Sequence, residues 1–82
     1  MSMMLPVDHS ITMANGAGAT TAFAVSGIKT GDELLAVVAY APGADPVGID
    51  VSEGTVGDGT VALDTTSTDG SLVWVMWITP RD

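Results

Sequence analysis

Residues 72–78, with the sequence "LVWVMWI", are apolar on both sides of any strand that they form. Successive side chains of a strand point to opposite faces, so Trp74 and Trp77 belong to different faces. The face of Trp74 is made by Leu72, Trp74, Met76 and Ile78. An antiparallel strand in a small protein usually keeps one face in water. One face of this strand is therefore expected in the domain's own core, and the other is expected to be covered by an N-terminal arm or by a neighbouring chain.

The length of the chain limits the core that it can build. Its 82 residues make one domain, and a domain of this size buries only about 60 to 65% of its unfolded surface. Chains this small commonly add disulfides, metals or oligomerisation. The sequence has no cysteine and one histidine, His9, which excludes disulfides and argues against a zinc site. Association with other chains is the remaining source of stability.

The charge balance excludes one class of partner. Ten acidic residues stand against two basic ones, Lys29 and Arg81, giving a formal charge of -8. Phosphate contacts need a basic patch, so no nucleic-acid partner is expected. No apolar run approaches the about 18 residues of a membrane span, and the first ten residues lack the charged start and apolar centre of a signal peptide. No membrane partner is expected either.

Short strand-like segments alternate with turns rich in Gly, Pro, Asp and Thr. The predicted strands are residues 10–14, 20–25, 33–41, 49–53, 60–64 and 72–79. Residues 33–41 favour a buried strand over a helix, because their apolar character is continuous and Gly-Asp and Pro-Gly pairs flank them. Residues 42–48 are predicted to be a rigid loop. Residues 54–60 and 65–70 are predicted to be turns, the second closing a hairpin into the last strand.

This pattern predicts an all-β fold, a small antiparallel β-sandwich or barrel of about six or seven short strands. Residues 1–9 are interpreted as an N-terminal arm or edge strand, and residues 10–82 as a single β domain. Residues 34–41 and 72–79 are apolar on both faces. They are expected at the centre of the fold, paired with each other.

The sequence offers no set of catalytic groups. A nucleophilic or acid–base site needs a nucleophile, a base and an orienting group, and His9 is the one histidine. Serines and threonines fall mostly in turns, where their hydroxyls satisfy backbone groups. We therefore expect no enzyme and no cofactor.

Carboxylates are plentiful in the predicted loops. Their convergence at one end of a sandwich would suit Ca²⁺, which prefers oxygen ligands. The candidates are Asp45, Asp50, Glu53, Asp58, Asp64 and Asp69. The spacing of an EF-hand is absent, and Asp-Gly is a preferred turn dipeptide. Solvated turn residues are the favoured interpretation, and no metal is predicted.

The candidate interface residues are apolar. In the last strand they are Leu72, Trp74, Met76 and Trp77, and in the N-terminal arm, which is expected to order on docking, they are Met3, Met4 and Leu5. Tryptophan is enriched among residues that dominate binding. Changing Trp74 and Trp77 separately to serine is expected to unfold the chain in one case and to abolish assembly with an intact fold in the other.

The stretch "FAVSGIKTGDELLAVVAY", a following Pro/Asp-rich loop, a Thr/Gly/Asp-rich stretch and the terminal "SLVWVMWITP" resemble the small β-rich head-decoration, or cement, proteins of tailed bacteriophages. The resemblance covers roughly residues 20–79, and its motif is "SGIKTGDELLAVV". It implies a structural protein on the outer surface of the virion capsid. Such a protein binds assembled major capsid protein, often as trimers or dimers, and strengthens the shell against the pressure of packaged DNA. It implies no catalytic residues.

Two other classes remain open from the sequence. One is a β-sandwich adhesion or carbohydrate-binding module, such as the head of a fibre, which would cluster exposed aromatic residues on one face or at loop tips. The other is a different virion subunit, such as a tail-tube or connector protein. The position of the protein in labelled virions would separate shell, tail and fibre.

Overall fold

A computed structural model describes residues 7–80, and they form an all-β fold of two antiparallel sheets. The strands of this region are β1 (Val7–Asn15), β2 (Phe23–Ala24), β3 (Glu33–Tyr40), β4 (Val47–Ile49), β5 (Gly54–Gly57), β6 (Thr60–Leu63) and β7 (Leu72–Pro80). The predicted all-β class and the number of strands are confirmed. Residues 7–9 lie in β1, so the segment interpreted as an arm or edge strand contributes its last three residues to a strand.

The larger sheet has the order β1-β7-β3-β4, with β7 in its interior. Strand β7 pairs with β1 along its whole length and with β3 from Tyr40 to Glu33. The predicted pairing of the two segments that are apolar on both faces is therefore confirmed, and so is strand rather than helix for residues 33–40. A bulge between Leu34 and Ala36 leaves Leu35 outside the regular register.

The smaller sheet has the order β2-β6-β5, and it corrects the prediction for residues 54–60. Residues predicted as one turn form strand β5, the tight turn Asp58-Gly59 and the start of β6. Gly59 has a φ of 75°, a conformation that glycine adopts at little cost in a two-residue hairpin turn. The sequence pattern did not predict β5 because glycine, a poor strand former, occupies both of its ends.

Three further predictions about the connections are wrong. Residues 49–53 are not a strand: β4 ends at Ile49, and the Asp50 carboxylate accepts a hydrogen bond from the Ser52 N–H (2.9 Å), which caps a 3₁₀ turn over Val51–Glu53. Residues 42–48 are not loop throughout, because β4 begins at Val47. Residues 65–70 close no hairpin either, since they carry the chain from β6 in one sheet to β7 in the other.

The core lies between the two sheets. Its buried apolar side chains are Ala14, Phe23, Val25, Ile28, Val37, Val61, Leu63, Val73, Val75 and Trp77. A buried polar residue, Thr68, joins the connection between β6 and β7 to the connection between β1 and β2. The Thr68 hydroxyl accepts a hydrogen bond from the Ala17 N–H (3.0 Å) and donates one to the Ala17 carbonyl (3.2 Å). The one helical element in residues 7–80 is the three-residue 3₁₀ turn, so this region has no helix that would span a membrane.

Candidate functional site

Strand β7 separates its two tryptophans into different environments. Trp77 is 2% exposed and packs in the core with Val73 and Val75, which are fully buried. Trp74 is 44% exposed, on the opposite face with Leu72 and Met76. Trp77, one of the sequence-predicted interface residues, is therefore a core residue and has no surface to offer a partner. Leu72, Trp74 and Met76 are brought together on the outside of the sheet.

Strand β1 extends this outer surface, with the usual alternation inverted. Its large apolar residues Ile11 and Met13 are 55% and 48% exposed. They lie opposite Met76 and Trp74 of β7, on the same outer face. The residues that alternate with them and point toward the core, Thr12 and Ala14, are small. A strand that only packed a sandwich would turn its large apolar residues inward, so the outward placement of Ile11 and Met13 needs another explanation.

Strand β3 completes the surface. Val38 lies opposite Trp74, and Tyr40 lies opposite Leu72. Ile11, Val38, Tyr40, Pro46 and Trp74 line a depression of about 340 Å³. The side chains of three neighbouring strands thus form one continuous surface, which we call the outer apolar face: Ile11, Met13, Val38, Tyr40, Leu72, Trp74 and Met76.

The outer apolar face contains no charged residue. Eight of the ten acidic residues fall between Asp32 and Asp69, and none occurs in residues 9–31 or 70–81. Polar residues bound the face at the ends of its strands: His9 and Glu33 flank Ile78, and Asn15 lies opposite Leu72. A contiguous exposed apolar surface with a polar rim is typical of an interaction site.

The remaining predicted interface residues, Met3, Met4 and Leu5, lie outside the described residues. The sequence prediction missed the contribution of β1 to the site. Its signal, the alternation of Ile11 and Met13 with Ser10 and Thr12, is visible in the sequence. It becomes informative only when the register with β7 shows which set points outward.

Four carboxylates, those of Asp32, Asp50, Glu53 and Asp58, hold turns and connections in place. In residues 7–80, no group of three or more His, Asp or Glu side chains is placed to hold a metal ion. The Asp58 carboxylate instead accepts from the Thr30 N–H (3.0 Å), and the Asp32 carboxylate accepts from the Lys29 N–H (2.9 Å). These interactions fix connections within the fold, and they do not form a cation site.

Glu53 makes the largest number of these contacts. Its carboxylate accepts from the N–H groups of Thr65 (3.3 Å) and Thr66 (2.9 Å) and from the Thr66 hydroxyl (3.0 Å). Partial desolvation opposes ionisation of Glu53, but the hydrogen bonds from Thr66 and Thr65 outweigh it and hold the pKa below its ordinary value of 4.5. The pKa values of Asp50 and Asp58 are lowered too, mainly by backbone hydrogen bonds from Ser52 and Thr30.

These lowered pKa values predict that the fold loses stability in acid. A carboxylate whose pKa is lower in the folded state stabilises it above the unfolded pKa, and this contribution is lost as the pH falls through the folded pKa. The free energy of unfolding should therefore decrease progressively as the pH falls below about 5. Glu53→Gln should flatten part of this decrease, measured by urea unfolding across the pH range. Glu33→Gln removes an equal charge from an exposed strand position and serves as the control; an identical slope in Glu53→Gln and the wild type would contradict the assignment.

No protein-family model matches the chain, and no curated protein or solved structure matches it with significant similarity.

Proposed function

We propose that this protein acts by binding and catalyses no reaction, and that its outer apolar face docks on the surface of an assembled bacteriophage capsid and stabilises the head. The observation that carries the proposal is the position of Trp74, half exposed at the centre of an apolar surface built from three strands. The resemblance of residues 20–79 to head-decoration proteins supplies the identity of the partner, the major capsid protein.

The physical properties of the chain support this role. A surface that displays a tryptophan, two methionines and several aliphatic side chains gains free energy when a partner removes them from water. Tryptophan is also enriched among residues that dominate binding energies. A capsid presents the same surface many times, so a modest contact per subunit yields strong overall binding if the subunits are linked. The acidic loops remain available to keep the outside of the decorated shell soluble.

The direct test is binding to expanded, DNA-filled heads of the phage that encodes the chain. The purified wild type should bind at micromolar concentration and raise the temperature at which the heads release DNA. Trp74→Ser should bind at least about 30-fold more weakly, since a central hot-spot residue contributes about 2 kcal/mol or more.

A matched variant separates docking from general loss of apolar surface. Val47 is 58% exposed on strand β4, outside the outer apolar face. Val47→Ser should bind heads as the wild type does. If the wild type fails to bind heads at micromolar concentration, or if both variants bind equally, the proposed docking surface is wrong.

One observation favours a second candidate function, carbohydrate binding. Tyr40 and Trp74 are both exposed, and they line the same depression. Aromatic faces offer apolar contact to sugar rings, but the other lining residues, Ile11, Val38 and Pro46, bring no polar side chain to hold hydroxyl groups. A reproducible hit on a glycan array that Tyr40→Ala abolishes would favour this alternative over capsid binding.

A further inference from the structure

The two edges of the four-stranded sheet are built differently. Strand β4 at one edge has three residues, contains Gly48 and follows Pro46. Short length and proline are the usual means by which proteins protect a sheet edge from pairing with another chain. Strand β1 at the other edge is nine residues long, and its register with β7 has no bulge. Within residues 7–80, no strand pairs with its outer side.

The outer apolar face is also continuous with the β1 edge. Exposure rises toward that edge, from 44% at Trp74 and 37% at Met76 in β7 to 48% at Met13 and 55% at Ile11 in β1. The apolar surface therefore has no polar rim along this side. The outer apolar face is therefore expected to extend onto the chain that pairs with β1.

The charge distribution restricts what can approach this edge. Two copies of a chain with a net charge of -8 repel each other over most of their surfaces. Residues 9–15 of β1 contain no Asp, Glu, Lys or Arg. Another acidic chain can therefore approach this strand without opposing a carboxylate on residues 9–15.

We propose that a second copy of this chain pairs with β1 through its own β1, in antiparallel orientation about a two-fold axis near Ile11. Antiparallel pairing of a strand with itself is self-complementary, as a two-fold interface requires. Pairing centred on Ile11 opposes Val7 and Asn15 and uses all nine residues of the strand. It joins two four-stranded sheets into one and makes the outer apolar faces of both copies continuous. The dimer thus presents two linked docking surfaces.

Side-chain chemistry across the proposed pair is compatible. Residues directly opposite each other in an antiparallel pair share a face, so Ile11 meets the second copy's Ile11 on the outer side. Met13 meets the second copy's His9, both on the outer side. On the inner side Ser10 is opposite the second copy's Thr12, and both residues are small. Asp8, the one charged residue of β1, falls opposite the second copy's uncharged Ala14, so the pairing opposes no like charges.

The mass of the purified chain in solution tests the pairing without any capsid. Sedimentation at concentrations of tens to hundreds of micromolar should give twice the chain mass of 8.3 kDa. Ile11→Lys places a charge at the two-fold axis, facing its own copy, and should sediment as a folded monomer. Val47→Lys adds the same charge at an equally exposed residue of the protected edge and should remain a dimer.

Cysteine crosslinking tests the register. The chain has no cysteine, so each single-cysteine variant reports one position. A disulfide requires Cα atoms within about 7 Å. Ile11→Cys should form a covalent dimer on mild oxidation. Met13→Cys should not, because pairing centred on Ile11 separates the two copies of residue 13 by four residue positions along the strand.

Several results of these experiments would contradict the proposed dimer or its register. A monomeric wild type at all these concentrations, a trimer, or a dimer that persists in Ile11→Lys would each overturn the proposal. A dimer that Ile11→Lys disrupts but that crosslinks faster at residue 13 than at residue 11 would overturn the stated register. Binding to heads by a monomer would uphold the docking function and reject this interface, so the two proposals fail separately.

Discussion

Trp77→Ser should lower the free energy of unfolding by about 3 to 5 kcal/mol or more, the range for truncating a buried aromatic side chain. Trp77 is 2% exposed among the core residues between the two sheets. Its removal leaves a large cavity that neighbouring valines cannot fill, and serine adds a hydroxyl to that apolar space. A chain of this size is expected to have a total stability of about 4 to 12 kcal/mol. The variant should therefore lose a large part of this stability, as measured by urea denaturation with far-UV circular dichroism.

Trp74→Ser provides the matched comparison, since it makes the same chemical change three residues away on the other face of β7. We expect a loss of no more than about 1 kcal/mol, because Trp74 is already 44% exposed. Equal destabilisation by the two changes would mean that both faces of β7 are covered within one chain. The separate roles of its two faces would then be wrong.

Gly16→Ala should cost about 3 kcal/mol, at the upper end of the range for overpacking, or more. A Cβ at Gly16 would overlap the backbone carbonyl, the hydroxyl and the Cβ of Thr68. Thr68 is 1% exposed and held by three hydrogen bonds with Ala17, and the Gly16 N–H donates to the Ser71 carbonyl (2.9 Å). Since the obstacle includes the backbone carbonyl of Thr68, relief of the overlap requires the two connections to separate.

Gly18→Ala is the control for the backbone effect of replacing glycine. A Cβ there meets only the Thr21 hydroxyl at 3.9 Å, an ordinary contact. This variant should unfold within about 0.5 kcal/mol of the wild type, measured by urea denaturation of both. A Gly16→Ala variant as stable as Gly18→Ala would show that the approach of Gly16 to Thr68 is not a fixed feature of the fold.

The strands with continuous apolar sequence were predictable, and the short strands β4 and β5 were not. Residues 33–40 and 72–80 were predictable because each is a short, largely apolar run next to turn residues, a pattern that favours a strand over a helix. Strand β5 was not predicted because both of its ends are glycines, which are poor strand formers. Its pairing with β6 stabilises it in the fold. Residues 49–53 have the alternation of a strand, but the hydrogen bond that Asp50 accepts from Ser52 favours a turn.

The candidate site was predictable in part for the same reason. Alternation in β7 separates Trp74 from Trp77, but it cannot say which is inside, because both faces are apolar. That choice depends on where the second sheet packs, which is a property of the whole chain. The contribution of Ile11 and Met13 depends in turn on their register with β7. Sequence alone therefore identified the residues of one strand and missed the surface to which they belong.

The most direct test of the account is the accessibility of the outer apolar face in free and head-bound protein. Hydroxyl-radical footprinting suits it, since Met13, Trp74 and Met76 are reactive side chains and all three are exposed. In the free protein these residues should be oxidised readily, and buried Trp77 should not. On binding to expanded heads, oxidation of all three should fall several-fold while Trp77 is unchanged. Equal oxidation of Met13, Trp74 and Met76 in free and bound protein would contradict the claim that this face is the docking surface.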